Sequence, residues 1–265
     1  MNARRAVRVS SSQRRGSSWP IVVETEDGRY VTKLRGAGQG AAALVAEIIV
    51  GFLADAIGLR VPARSLILVD EALECENRDP ELLDLLAASR GPNLGFAWLE
   101  GARDLRPNDP REIANVASDE ASRIVWLDWL VMNPDRTHRN PNILLWKKEP
   151  WLIDHGAALM FHHDWSAVTE DSPRRPMPSS VPHLLWDRAV DLAGWDARLS
   201  SRLDRDIIRA AVHDVPDAFF TPLLPGSSRS TTLPRRREAY VAFLWKRLKP
   251  PRSLLSSTQP RKEES

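Results

Sequence analysis

The stretch Asn133-Pro134-Asp135-Arg136-Thr137-His138-Arg139-Asn140-Pro141-Asn142-Ile143-Leu144-Leu145, followed by Glu149-Pro150-Trp151-Leu152-Ile153-Asp154-His155-Gly156, decides how this chain is read. Two carboxylates, Asp135 and Asp154, flank a loop and an apolar hairpin pattern. Phosphoryl transfer from ATP needs a group that orients or deprotonates the attacking hydroxyl, and oxygen ligands that hold Mg²⁺ against the phosphates. Asp135 suits the first task and Asp154 the second. An amide oxygen a few residues after the base can bind metal without adding charge, and both Asn140 and Asn142 qualify. Asn, Pro and Asp also build ordinary turns. What raises the motif above coincidence is the order of the residues around it.

Upstream, Asp109-Pro110-Arg111-Glu112 is a helix-start signal, with an acidic cap, Pro at the first position and Glu three residues after the cap. Ile113, Ala117, Ala121, Ile124 and Leu127 keep helical spacing after it and predict one long helix up to Met132. Further upstream the texture is β-rich. Pro20–Glu24 and Tyr30–Leu34 flank Asp27-Gly28 as a hairpin, with Lys33 near its end. Leu44, Ile48, Phe52 and Ala56 recur at spacing four and predict a helix over 41–57 that carries Glu47 and stops at Gly58; Gly51 inside it costs propensity or marks a close contact. Residues 6–9, 61–69 and 95–99 read as strands and 81–88 as a short helix. Downstream, helices are expected over 184–192, 202–214 and 235–248, separated by the Pro- and Ser-rich connectors 172–182 and 221–234. A strand lysine can neutralise phosphate charge, and a helix glutamate can hold its ammonium in place.

The 265 residues suffice for a sizeable core, and Lys+Arg at 37 against Asp+Glu at 35 advertises neither nucleic acid nor an anionic membrane. The basic clusters Arg4, Arg5, Arg8, Arg14, Arg15 and Arg235–Arg237 read as solvated. No apolar run has the length of a secretory signal or a membrane span, so a cytoplasmic protein with no membrane partner is expected. Cys75 is the only cysteine, which excludes an internal disulfide and a zinc site built from several thiolates. Trp126, Trp129, Trp186 and Trp245 fall on helical patterns and are expected in the core; His155, His162, His163 and Asp164 read as a surface loop in preference to a metal site.

The sequence resembles the HipA-like kinases, a bacterial branch of the protein-kinase-like superfamily. The resemblance rests on Tyr30-Val31-Thr32-Lys33-Leu34, Ala46-Glu47, Gly58-Leu59-Arg60-Val61-Pro62-Ala63, Asn133 through Leu144 and Ile153-Asp154-His155-Gly156, and spans about residues 16 to 220. It implies an α+β fold of two lobes: a basic segment 1–18, a sheet-rich N-lobe 19–100 with one long helix, a helical C-lobe 101–249 and a tail 250–265. The implied roles are Lys33 on ATP phosphates, Glu47 as its ion-pair partner, Asp135 as base, and Asp154 with Asn140 or Asn142 on Mg²⁺. Four residues separate base and asparagine in the family, which selects Asn140, whereas Asn142 is the one followed by the expected apolar run. Gly16-Ser17-Ser18 stands where a phosphate loop belongs, and Gly36–Gly40 offers a second glycine-rich stretch after the lysine. The backbone of Trp98, Leu99 and Glu100 lies where an adenine edge would hydrogen-bond.

The resulting expectation is an ATP- and Mg²⁺-dependent Ser/Thr protein kinase with an unassigned acceptor. A small-molecule or lipid-headgroup kinase and a catalytically silent nucleotide-binding module are the alternatives. A DNA-binding regulator would need a recognition helix that the pattern does not supply, so nucleic acid is not expected as a partner.

Overall fold

The computed structural model describes residues 1–12, 19–38, 40–177, 181–224 and 232–252. In the first part of the chain, β1 (Ala3–Arg5), β2 (Arg8–Ser12), β3 (Ile21–Thr25) and β4 (Gly28–Lys33) precede α1 (Gly40–Ala56), β5 (Arg64–Val69), β6 (Glu74–Cys75), α2 (Pro80–Ala88) and β7 (Gly91–Ala97). The seven strands form one sheet in the order β1-β5-β7-β4-β3-β2-β6. Its contacts are antiparallel except for β1 with β5 and β2 with β6.

Register assigns each side chain a face. Ile21 pairs with Thr32 and Val23 with Tyr30, while Val31 pairs with Phe96 and Lys33 with Leu94. With the two-residue period of strands, Ile21, Val23 and Tyr30 join Ile67, Val69, Leu82 and Leu86 in a core beneath α2. The opposite face presents Leu66, Leu94 and Phe96 to the larger core that contains α1. Lys33 therefore points from the sheet toward α1. That helix is buried around almost its whole circumference because it also packs against helices of the second lobe. Gly51 makes room there for the Arg64 guanidinium, the close contact expected of a glycine inside that pattern.

The second part contains β8 (Arg103–Asp104), α3 (Pro110–Ile113), α4 (Ser118–Leu130), β9 (Ile143–Trp146), β10 (Glu149–Leu152), α5 (Leu192–Arg202), α6 (Arg205–His213), α7 (Asp217–Phe220) and α8 (Leu233–Leu248). Short 3-10 turns occupy parts of residues 160–188, and β8, β9 and β10 form a small antiparallel sheet.

Two helix expectations are corrected. The single helix expected from Pro110 to Met132 is broken between α3 and α4, where Asn115 Nδ2 donates to the Arg111 and Glu112 carbonyls and ends the first turn. The helix expected over 184–192 is a 3-10 turn at Trp186–Arg188, because Leu184 N–H donates to the Arg136 carbonyl and Val190 N–H to Ser122 Oγ. Helix α5 starts only after Asp191, whose carboxylate accepts from Gly194 N–H.

Gly95 sits in the middle of β7, where an added Cβ would fall inside van der Waals contact of the fully buried Ile67 side chain. Gly95→Ala is expected to lower unfolding stability by about 1–3 kcal/mol through overpacking, measured as a lower urea midpoint at unchanged m-value. An unchanged midpoint would mean that this sheet tolerates a side chain there.

Candidate active site

The end of β4 delivers Lys33 to a place where it is only 8% exposed. Its ammonium lies 2.5 Å from Glu47 Oε1 on α1 and 2.6 Å from Asp154 Oδ1, which follows β10. The other Glu47 oxygen is 3.2 Å from His155 Nδ1. Four residues from three separate stretches of chain thus share one charge cluster. Asp154 reaches it with a left-handed backbone at φ 54°, uncommon for a non-glycine residue.

Burial alone would push the Lys33 pKa down, yet the Glu47 and Asp154 carboxylates outweigh it and hold the ammonium above its ordinary value. Burial would likewise raise the Glu47 pKa, but Lys33 and then His155 bring it well below the usual carboxylate range. The cluster is closed on the Glu47 side, where no solvent reaches, and open on the Asp154 side, where the side chain is 38% exposed.

The second half of the site is built on the C-terminal end of α4. Its backbone reverses at Met132, φ 55°, and Asn133 N–H returns to the Asp128 carbonyl at 2.8 Å. Asp128 has no solvent exposure and collects the Arg136 guanidinium through Nε at 2.6 Å and Nη2 at 3.3 Å, Asn133 Nδ2 at 2.8 Å and His183 Nε2 at 2.9 Å. Burial opposes ionisation of Asp128, but Arg136 and then His183 hold its carboxyl well below the usual range. Arg136, itself fully buried, also donates to the Asn142 carbonyl at 2.6 Å.

Asp135, held between these anchors, stays partly exposed and accepts from Asn140 Nδ2 at 2.8 Å and Asn142 Nδ2 at 3.2 Å. The Asn142 carbonyl also accepts from Ile153 N–H. That bond ties the loop of Asp135 to the residue before Asp154.

The glycine-rich stretch after Lys33 is anchored, since Gly36 N–H donates to Ser89 Oγ at 3.1 Å; Gln39 within it, and the proposed phosphate loop Gly16-Ser17-Ser18, lie outside the described residues. Trp98, Leu99 and Glu100 follow β7 as expected of a connector between lobes. There Trp98 N–H donates to the Arg29 carbonyl, Ala102 N–H to the Leu99 carbonyl, and Trp146 Nε1 to the Glu100 carbonyl. Arg29 lies over the exposed Trp98 ring and pairs with the Glu100 carboxylate. Among the described residues, no group of three or more His, Cys, Asp or Glu side chains gathers as a metal site. Of the residues expected on a surface loop, His155 and His162 are buried, whereas His163 and Asp164 are exposed.

Sequence reasoning missed Asp128 and His183. Asp128 had one available signal, an acid enclosed by Trp126-Leu127 and Trp129-Leu130 on a buried helix. His183 had none, being separated from Asp128 by 55 residues.

The donor set suits Mg²⁺, a hard cation that takes oxygen ligands and often shares them with substrate phosphates. Asp154 offers a carboxylate oxygen, and Asn140 and Asn142 use their amide nitrogens on Asp135.

A β-rich lobe joined to a helical one is the architecture of the protein-kinase-like fold. A solved structure with this arrangement, the proinflammatory kinase CtkA of Helicobacter pylori, superposes with a TM-score of 0.50 at 12% identity, covering 90% of this chain and 88% of that one. The sequence model of the HipA-like kinase family matches residues 6–172, and the chain belongs to that family. No curated protein matches it. No helix among the described residues is long and apolar enough to cross a membrane.

Removing Asp128 leaves the Arg136 guanidinium buried without its counter-charge. Asp128→Ala is expected to cost about 3–5 kcal/mol in chemical denaturation. Because the carboxyls of Asp128 and Glu47 are held below their unfolded range, their contribution is complete above about pH 5 and is lost on acidification below it. An Asp128→Asn protein should therefore lose less stability between about pH 5 and pH 3 than wild type does; equal slopes would show that this carboxyl is not depressed.

Proposed function

We propose that the chain is an ATP- and Mg²⁺-dependent protein kinase acting on Ser or Thr hydroxyls. The observation that carries this reading is the Lys33 ammonium held between Glu47 and Asp154, residues 14 and 121 positions away in sequence.

An ammonium has three donors. Two are directed at carboxylates here, and the third is left for a phosphate oxygen of the nucleotide. Asp135 accepts the proton of the acceptor hydroxyl, or orients it, with its own carboxylate fixed by the amides of Asn140 and Asn142. Asp154 and one of these asparagines hold Mg²⁺, which when bound neutralises charge on the transferring phosphoryl group. Asn140 is the better candidate of the two. Asn142 already has structural duties, since its carbonyl receives Arg136 and Ile153 and its backbone is left-handed at φ 50°. At the connector, the Trp98 carbonyl and the Leu99 N–H are the groups offered to the adenine edge. A cytoplasmic location, and the phosphate loop at Gly16-Ser17-Ser18, belong to the same proposal. The Ser/Thr assignment rests on the family and not on an acceptor pocket.

Radiolabelled ATP tests the reading directly. Asp135→Ala is expected to lower transfer to protein or to added hydroxyl acceptors by about 10²–10⁴-fold while nucleotide binding, followed by a fluorescent ATP analogue, stays within a few-fold. Binding without transfer in wild type itself would instead describe a silent nucleotide-binding module.

The two asparagines separate in a second experiment. Asn140→Ala should raise the Mg²⁺ concentration needed for half-maximal nucleotide binding and leave the melting temperature nearly unchanged. Asn142→Ala should lower the melting temperature. The reverse pattern would exchange their roles.

A further inference from the structure

Helix α8 buries three arginines. Arg237 donates to the Val212 and Val215 carbonyls at 2.6 and 2.7 Å and pairs with Asp217 at 2.6 Å. Arg247 donates to the carbonyls of Trp129, Leu130, Pro173 and Arg175. The fold therefore satisfies a buried guanidinium fully where it has one to satisfy, in two places on this helix.

Arg236 is the exception. It is 7% exposed, and its guanidinium makes neither an ion pair nor a hydrogen bond with a described residue. It lies over the face of Trp165, 4.6 Å from the ring centroid. Of its three side-chain nitrogens only Nε is wholly sealed, so the end of the fork reaches the surface.

The neighbours of Arg236 share the deficit. One turn along α8, the Tyr240 hydroxyl is buried without a partner, as are Trp165 Nε1 and both ring nitrogens of His162. The Trp165 and Tyr240 rings lie 5.1 Å apart and those of His162 and Tyr240 6.0 Å apart, so the four side chains form one group. Burial raises the Tyr240 pKa, and Arg236 and then the Trp165 indole oppose that rise without cancelling it. The acids nearest in sequence are committed elsewhere. Asp164 accepts from Ser166 N–H, Ser166 Oγ and Ala167 N–H within its own turn, and Glu238 faces Arg205 and Arg209.

Arginine and tryptophan can only donate, and tyrosine and neutral histidine each bring a donor. Water could satisfy the neutral groups, but it would bring no counter-charge to a guanidinium that reaches the surface only at the end of its fork. An anion does both. We propose that Arg236, Trp165, Tyr240 and His162 form a binding site for a small oxyanion of the phosphate type, outside the proposed nucleotide cleft. The inference does not rest on the kinase reading. Its ligand is either free phosphate or a phosphoryl group carried on a small organic residue.

The test is a thermal-melting titration of the full chain with inorganic phosphate and, separately, O-phosphoserine, at constant ionic strength with chloride as control. Wild type is expected to show a saturable rise in melting temperature, absent in Arg236→Gln, with Tyr240→Phe weakening the apparent affinity about tenfold. Both variants keep Lys33, so phosphate held in the nucleotide cleft would stabilise all three proteins alike, and that outcome overturns the proposal. So does the lack of any saturable effect in wild type. A response to inorganic phosphate alone assigns the site to the free anion; a response to both assigns it to the phosphoryl group. If Arg236→Gln does not fold, calorimetric titration of phosphate into wild type and Tyr240→Phe decides, and equal affinities would count against the site.

Discussion

A buried ammonium is the constraint on which the rest of this structure depends. Lys33 sits at the end of a strand, on the face that the register of β4 and β7 turns toward α1, and it has almost no access to water. Leaving it there unpaired would cost several kcal/mol. Glu47 and Asp154 compensate it, and His155 occupies the Glu47 oxygen that the lysine does not. The sheet, α1 and the segment after β10 must therefore sit in one arrangement for the charge to be tolerated. The cluster carries two carboxylates against one ammonium and opens to solvent only on the Asp154 side. A cation arriving from solvent meets a negative surplus at that opening.

A second buried pair does the same for the other half of the site. Asp128 and Arg136 are both without solvent exposure, and Asn133 and His183 complete the carboxylate's contacts. Buried ion pairs are weak devices for stability, because well-packed apolar residues of similar size serve as well or better. Two such pairs flanking the loop of Asp135 make more sense as positioning devices. Arg136 reaches from Asp128 to the Asn142 carbonyl, and Asn142 in turn touches both Asp135 and Ile153. The chain of contacts from α4 to Asp154 is continuous, although the two carboxylates lie 19 positions apart in sequence.

Much of this was readable because strands and helices advertise their periods. The β3–β4 hairpin and α1 follow from alternation and four-residue spacing, and with them Lys33 and Glu47 fall on facing surfaces. What could not be read was set by contacts distant in sequence. Nothing local to His183 signals that it reaches Asp128, and Asn115 ends α3 through side-chain bonds that compete with an otherwise continuous apolar pattern. Three like charges in a row suggest a solvated surface, yet in the run Arg235–Arg237 only Arg235 is exposed, and Arg236 and Arg237 are buried. Helical steps of roughly 100° place the three on different bearings, and Arg236, Tyr240, Phe243 and Arg247, spaced four, three and four apart, trace one buried stripe. That spacing was present in the sequence; the charge obscured it.

The segment from Asp154 to Leu184 leaves the candidate site and returns to it. Near its start, Leu159 N–H donates to the Val131 carbonyl at 2.7 Å, and at its end Leu184 N–H donates to the Arg136 carbonyl at 2.9 Å beside the His183–Asp128 contact. Both anchors thus fall on the end of α4 and the loop that follows it. Between them the described chain is held by short 3-10 turns and by side chains against α8, where Phe161 stacks on Phe243 at 3.7 Å. Such turns contribute few cooperative backbone bonds, so this stretch depends on α8 for its conformation more than on itself. Two contacts tie this stretch to the candidate site, that of Leu159 five residues after Asp154 and that of His183 beside the loop of Asp135. The second ends on a fully buried carboxylate that already holds four hydrogen-bonded contacts.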